Sequence, residues 1–338
     1  LFLTQINFTM KKYAALLLFA LFLNGCDDGD LTVDEIDFAD VQESSACDPL
    51  TNTLIYKLKS QEALLLQLPQ GAIINDQGTY TYTIDANGKG SYRVVYRAYD
   101  GTVAKDNICG AIPPTTPKVT EEWNAVEGLI EVATTQLVDS SATDGSTRIK
   151  GYEHSIIFRN ITFAKPAGNQ TEAEFVFGTY NTNVTKADLT FKTNPNGSAY
   201  ECDNKTYNYN NSFYLSIEDI DPALLVNEVT ASNQPRTSLI TATQNKVFYR
   251  TALTETGSIT PAFICAKVQP SSPAIDETWT GQLGVANASG IIEVTTTRTG
   301  QVYEHTIVLK NVILQKGKSS FKLGSSFVLG KVTRDATD

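Results

Sequence analysis

Apolar and polar positions alternate in short runs along most of the chain. Residues 54–58, 63–68, 79–85 and 91–99 are rich in β-branched and aromatic side chains and are bounded by Gly, Asn, Asp or Pro, a pattern that predicts strands. Asn87, Gly88, Lys89 and Gly90 mark a turn between two of them. The helical period is weak throughout this region, with its best candidate a short turn around residues 221–227. The pattern predicts an all-β protein of antiparallel sandwich-like modules or partly closed barrels.

One hairpin carries enough pattern to set a register. With Thr299 and Gly300 as the central residues of a tight turn, Arg298 pairs with Gln301 and His305 lies across from Val294. Ile292, Val294 and Thr296 then share a face with Tyr303, His305, Ile307 and Leu309, which predicts the core side. Glu293, Thr295, Thr297, Glu304 and Thr306 fall on the opposite, mostly solvated side.

The same landmarks occur twice. Cys47 and Cys109 are 62 positions apart, and Cys202 and Cys265 are 63 apart. Val95, Tyr96 and Arg97 answer to Phe248, Tyr249 and Arg250, while Pro117, Glu121 and Trp123 answer to Pro273, Glu277 and Trp279. The run Gly128, Leu129, Ile130, Glu131, Val132 matches Gly290, Ile291, Ile292, Glu293, Val294. Tyr152, Glu153, His154, Ser155, Ile156 matches Tyr303, Glu304, His305, Thr306, Ile307, and Asn160 answers to Asn311. Phe175, Val176, Phe177, Gly178 is echoed by Phe327, Val328, Leu329, Gly330. The expected organisation is two β-rich units over residues 31–187 and 188–338, related by duplication, each closed by its own disulfide: Cys47 with Cys109 and Cys202 with Cys265. The first unit's hairpin carries a loop about 11 residues longer, through residues 139–146, a place where function tends to be grafted.

The amino end breaks the alternation. Met10, Lys11 and Lys12 precede an apolar run over residues 13–23 and then Leu23, Asn24, Gly25 and Cys26. The order of basic start, short apolar run and small residues is that of a signal peptide, and the run is about half the roughly 20 residues needed to span a bilayer. The tetrad resembles the lipobox of bacterial lipoproteins. The resemblance covers this motif alone and implies cleavage before Cys26 and lipid attachment to its sulfur, giving a membrane anchor of more than one acyl chain. The acidic tether that follows, Cys26, Asp27, Asp28, Gly29, Asp30, resembles the export signal of Bacteroidota-type surface lipoproteins and implies an outer-membrane, outward-facing location, with the periplasmic face as the alternative. Residues 1–9, ahead of the Met, read as an upstream extension, so residues 1–25 are expected to be removed and 26–30 to form the tether.

Charge narrows the partners. Removing Lys11 and Lys12 leaves 25 basic residues against 37 acidic, a net charge of −12 over about 313 residues. Such a surface repels nucleic acid and anionic headgroups, so no nucleic-acid partner is expected.

Candidate chemistry is sparse. With Cys26 lipidated and four cysteines in disulfides, none of the five remains as a thiol nucleophile, and neither a phosphate-binding glycine loop nor a nucleophile elbow is present. His154 and His305 sit beside Glu153 and Glu304, but neighbours on a strand point to opposite faces, so each His reads as structural. Glu131 with Glu153, and Glu293 with Glu304, are expected as diagonal neighbours on the solvated face, a spacing that overlaps the carboxylate pairs of inverting glycosidases. Asp139, Asp144 and Gly145 offer oxygens without the spacing of a calcium loop. Tyr80 with Tyr82, and Tyr207 with Tyr209, are the candidate ligand-binding residues, as aromatic platforms for sugar rings. No catalytic residue, metal or cofactor is expected. The chain reads as a non-enzymatic cell-surface lipoprotein that binds an extracellular glycan or protein, with an envelope hydrolase acting on carbohydrate and a structural component of the outer membrane as alternatives.

Overall fold

The computed structural model describes residues 35–86, 88–191 and 197–336, so the signal-like segment, Cys26 and the acidic tether lie outside the described residues. The first half contains β1 (Ser45–Ala46), β2 (Leu54–Leu58), β3 (Glu62–Gln67), β4 (Gly78–Thr83), β5 (Arg93–Tyr99), the single-turn helix α1 (Lys105–Cys109), β6 (Val119–Ser140), β7 (Thr147–Ala164) and β8 (Gln170–Asn183). The second contains β9 (Tyr200–Cys202), β10 (Lys205–Tyr209), β11 (Phe213–Glu218), β12 (Arg236–Leu239), β13 (Lys246–Ala252), α2 (Pro261–Ile264), β14 (Ile275–Gly281), β15 (Ile291–Thr299), β16 (Val302–Lys310), β17 (Ile313–Lys316), β18 (Ser319–Lys322) and β19 (Phe327–Asp335). All pairings between these strands are antiparallel. The predicted all-β fold is therefore what the chain forms. The expected turn near residue 221 is a 3-10 turn, Pro222–Leu225, capped by the Asp221 carboxylate, which accepts from the Ala223 N–H.

The order β1-β2-β3-β5-β6 in the first half is met again as β9-β10-β11-β13-β14 in the second. The difference lies in continuity. Residues 119–124 of β6 pair with β5 and residues 129–134 with β4, so one bent strand serves two layers. In the second half those two jobs fall to separate strands, β14 and β15, which belong to sheets of seven and four strands. The bend in β6 is a pair of bulges around Gly128 (φ +129°), where a Cβ would lie 2.8 Å from the Ile161 Cα.

In the second half the two sheets enclose the core as a sandwich. Leu215, Ile217, Val247, Tyr249 and Trp279 from one sheet meet Ile292, Val294, Ile307 and Leu309 from the other, all buried. Burial of each such aliphatic or aromatic side chain contributes about 1.5–3 kcal/mol before chain entropy is counted. The back of the larger sheet is closed by α2 and the Cys202–Cys265 disulfide over Tyr207, Tyr214, Ile259 and Phe263. In the first half α1 and the Cys47–Cys109 disulfide cover Tyr56, Leu65, Val95 and Tyr99. Both disulfides join the expected cysteines, at Cα separations of 5.3 and 5.9 Å.

The halves pack within one unit, Phe38–Asp338, and the seam between them has an unusual chemistry. The outer edge of β18 meets side chains rather than another strand. Gln136 accepts from the Ser320 N–H and donates to its carbonyl, both at 3.0 Å, so the amide side chain imitates a backbone partner. Farther along, the Lys322 N–H donates to the Thr147 hydroxyl (2.8 Å) and Arg148 donates to the Lys322 carbonyl (2.9 Å). The Asp76 carboxylate takes the Lys318 and Ser319 N–H groups and the Ser319 hydroxyl, at 2.8–2.9 Å. The long hairpin loop of the first half joins in, with the Asp144 carbonyl accepting from Ser325 N–H at 2.8 Å. Among the described residues no helix is long and apolar enough to cross a membrane.

Candidate functional site: a cleft beside the seam

A cleft of about 540 Å³ opens next to this seam. The second half supplies its floor, where Phe213, Tyr249, Trp279 and Phe321 pack ring against ring at centroid distances of 5.0–6.2 Å. Alternation along β11, β13 and β14 turns these rings to the same side. The first half contributes Asn75, Ile149 and Tyr152, and the connection between the halves, residues 184–188, runs along one wall. That connection is held by Val184, Ala187 and Leu189, which lie against the core, and by the Tyr249 hydroxyl, which donates to the Asp188 carbonyl at 3.0 Å. Burial pushes the Tyr249 phenol well above its ordinary pKa, so it stays protonated as a donor.

Charge in the cleft is largely paired. Glu277 receives the Trp279 indole N–H at 2.9 Å on one oxygen and Lys316 on the other. The Lys316 ammonium also lies 5.1 Å from the centre of the Trp279 ring. Lys186 is bound to Asp139, whose carboxyl is held below the usual range by the hydrogen bond from Lys186 and then by Lys150. Asp188 accepts from the Thr190 N–H, and Asp276 stands exposed at the rim.

No protein-family model, curated protein or solved structure matches the chain. The site is therefore read from its own geometry.

A comparison of the two halves sharpens that reading. Lys165 follows Asn160 at the interval at which Lys316 follows Asn311, and each lysine lies over the tryptophan of its own half. In the first half, however, the Trp123 N–H is buried without a partner, and Lys165 donates to Gln170. At the cleft, by contrast, the tryptophan N–H and the lysine are both bound to one glutamate. Glu277 and Trp279 were visible as repeated landmarks, but nothing marked them as a site. The repeated lysine was the available signal.

The candidates named from the sequence fall elsewhere. Tyr207 is buried against the Cys202–Cys265 disulfide beside Tyr200 and Tyr209, and desolvation pushes its phenol up to about 12. A buried ring offers no face to a sugar, so the Tyr207 and Tyr209 pair is not an open platform. Tyr80 and Tyr82 are half-buried on β4, their hydroxyls donating to the Asp76 and Ala72 carbonyls, and Tyr82 stacks on Tyr92 at 5.0 Å.

The carboxylate pairs do not form either. Glu131 lies opposite Ile157 and Glu153 opposite Thr135, four strand positions apart, a separation of roughly 13 Å at 3.3 Å per residue. Glu293 and Glu304 are displaced likewise. Glu131 is bound to Arg159 at 3.0 Å and Glu304 to Lys331 at 2.8 Å. The expected diagonal rested on a hairpin register two positions away from the real one, in which Thr296 faces His305 and Val294 faces Ile307. Gly300 (φ +62°) occupies the first central position of the turn rather than the second. Asp144, in the long loop, is held down to about 2, first by the Ser146 N–H, and its loop docks on the seam.

The register shift is even, so both histidines keep the expected core face. Each is fully buried. Thr182 gives its one proton to Asn75 (2.6 Å), so it must accept from His154 Nε2 (3.0 Å); the bare Nδ1 then accepts from Thr134 (2.9 Å). His305 shows the same tautomer: Nε2 donates to the side-chain Oδ1 of Asn227 (3.2 Å), and Nδ1 accepts from Thr296 (2.8 Å). Two neutral, doubly bonded rings hold strands together and leave no lone pair for a metal.

Proposed function

We propose that the chain is a lipid-anchored outer-membrane protein, facing outward, that binds an extracellular ligand in the cleft beside the seam. The observation that carries the binding reading is the cleft itself: it is walled by both halves and by the chain between them, and its Glu277, Lys316 and Trp279 hold each other in place. Rigid polar groups over an aromatic floor suit recognition. Two disulfides fit an oxidising compartment outside the cytoplasm. The lipobox-like tetrad ending at Cys26 and the acidic tether support the anchor and its direction.

Carbohydrate hydrolysis is the second reading, favoured by the three carboxylates at the cleft, Asp188, Asp276 and Glu277. Glu277 has both oxygens engaged, by a cation and an indole N–H, which leaves it poorly placed to hand a proton to a leaving group. Product analysis after incubation with oligosaccharides separates the readings: intact sugars support binding alone, and shortened ones establish hydrolysis.

The anchor has its own test. Cys26→Ser is expected to leave the protein unprocessed or in the aqueous phase on detergent partitioning, whereas the native chain enters the detergent phase. Unchanged membrane retention of the variant would remove the anchor. Protease treatment of intact cells should degrade the native protein, and full protection would place it on the periplasmic face.

A further inference from the structure

We infer that the cleft takes a neutral oligosaccharide of two to four rings. The inference rests on the binding reading above and names its ligand class. Each ammonium group lining the cleft is ion-paired, Lys316 with Glu277 and Lys186 with the Asp139 carboxylate that it shares with Lys150, while Asp188 and Asp276 add negative charge. An anionic ligand has to compete with a carboxylate already bound to each lining lysine and meets two further carboxylates there. A cationic ligand meets two lysines, and the carboxylates it can reach without displacing one, Asp188 and Asp276, are both exposed, where water screens an ion pair.

Ser212, Thr251, Thr254 and Asn75 present hydroxyl and amide groups around the walls, and Thr251 already accepts from the Glu277 N–H, leaving its own proton to donate. Hydroxyls, an amide and the exposed Asp276 carboxylate match a ligand whose hydroxyl groups both donate and accept. The apolar share of the lining, set by the packed rings beneath, suits the C–H faces of the same ligand.

A peptide is the obvious competitor. An extended peptide binds most readily by adding a strand to an open sheet edge. The edge beside this cleft is β18, and its outward N–H and C=O groups are taken by Gln136, Thr147, Arg148 and Asp76. A peptide finds no ladder to join. The volume of about 540 Å³ falls within the range of small-molecule sites.

The test uses the purified full chain in detergent micelles and titration calorimetry. The probes are cellotriose, maltotriose, xylotriose, mannotriose and chitotriose, with trigalacturonic acid and trilysine as charged counterparts. At least one neutral trisaccharide should bind at least about tenfold more tightly than either charged probe, with an affinity that changes little between low and high salt. Thr254→Trp and Ser212→Trp fill the cleft from partly or fully exposed positions, so the fold, checked by circular dichroism, is kept, and each should cost about tenfold or more in affinity.

Preference for trigalacturonic acid or trilysine, lost in the filled variants, overturns the ligand class and leaves the cleft as the binding site. Neutral sugars that bind the filled variants as well as the native chain overturn the cleft reading itself. Binding of none of these probes overturns the class.

Discussion

Protonating His154 or His305 puts a charge where no water reaches and adds a second N–H opposite a threonine hydroxyl that is already donating. Burial holds both imidazoles down to about 4, from an ordinary 6.5. As pH falls, the unfolded chain takes up these protons first, so the contribution is whole above about 6.5 and lost progressively from there to about 4. Each ring accounts for roughly 3 kcal/mol over that window at 1.36 kcal/mol per pH unit. The lowered carboxyls of Asp139 and Asp144 act in a more acid window, below 3.8. The double variant His154→Gln, His305→Gln should be less stable at pH 7.5 yet show a flatter fall between pH 6.5 and 4 in thermal melts. An acid limb as steep as that of the native chain would refute the assignment. The face of these rings was legible from alternation alone. Their partners were not, because Thr296 comes opposite His305 only when Gly300 takes the first turn position, and Thr134 comes opposite His154 through a hairpin whose bulge at Leu137 and Val138 the alternation did not announce.

Strands were the easiest elements to read, and their edges the hardest. β2 falls where the alternation put it, and β3, β4 and β5 lie within two residues of expectation. The repeated glycines, Gly178 and Gly330, were also visible, and the structure gives the reason for them. Each sits at positive φ (+119° and +144°) where the segment entering its half crosses in a parallel bridge, and a Cβ would meet the Gln42 carbonyl at 2.5 Å or the Ala199 N at 2.7 Å. Nothing comparable announced that β18 would be capped by side chains more than 170 positions earlier in the chain. A glutamine imitating a backbone has no local pattern, since its meaning exists only once two distant segments meet. Asp76→Ala removes a carboxylate that, across the seam, holds two backbone N–H groups and one hydroxyl, and it should destabilise the fold by roughly 2–3 kcal/mol. Denaturant titration measures this, and hydrogen exchange should quicken at the Lys318 and Ser319 amides before the core amides. Unchanged exchange at those two positions would show that the cap contributes nothing.

At the scale of the whole molecule, the sequence reads as two units in tandem, and such chains often unfold one unit at a time. The structure argues for a different outcome. The core of the second half takes in Ile149 and Tyr152 from the first, and the Tyr152 hydroxyl reaches Ser319 across the seam at 3.2 Å. β18 leaves its edge groups exposed to water unless Gln136, Thr147, Arg148 and Asp76 are in place, so opening either half strips partners from the other. Calorimetry should therefore show a single transition whose van't Hoff and calorimetric enthalpies agree. The combination Asp76→Ala with Gln136→Ala removes four of the hydrogen bonds across the seam by its backbone contacts alone, without touching either disulfide or the sandwich core of the second half. Because these bonds share one strand, their losses should exceed the sum of the single variants. The double variant is expected to unfold in two steps, with the weaker half melting first and the cleft lost at that step, since its walls come from both halves. One sharp transition in the double variant would mean that the shared core couples the halves by itself, and two transitions in the native chain would mean that the seam couples nothing.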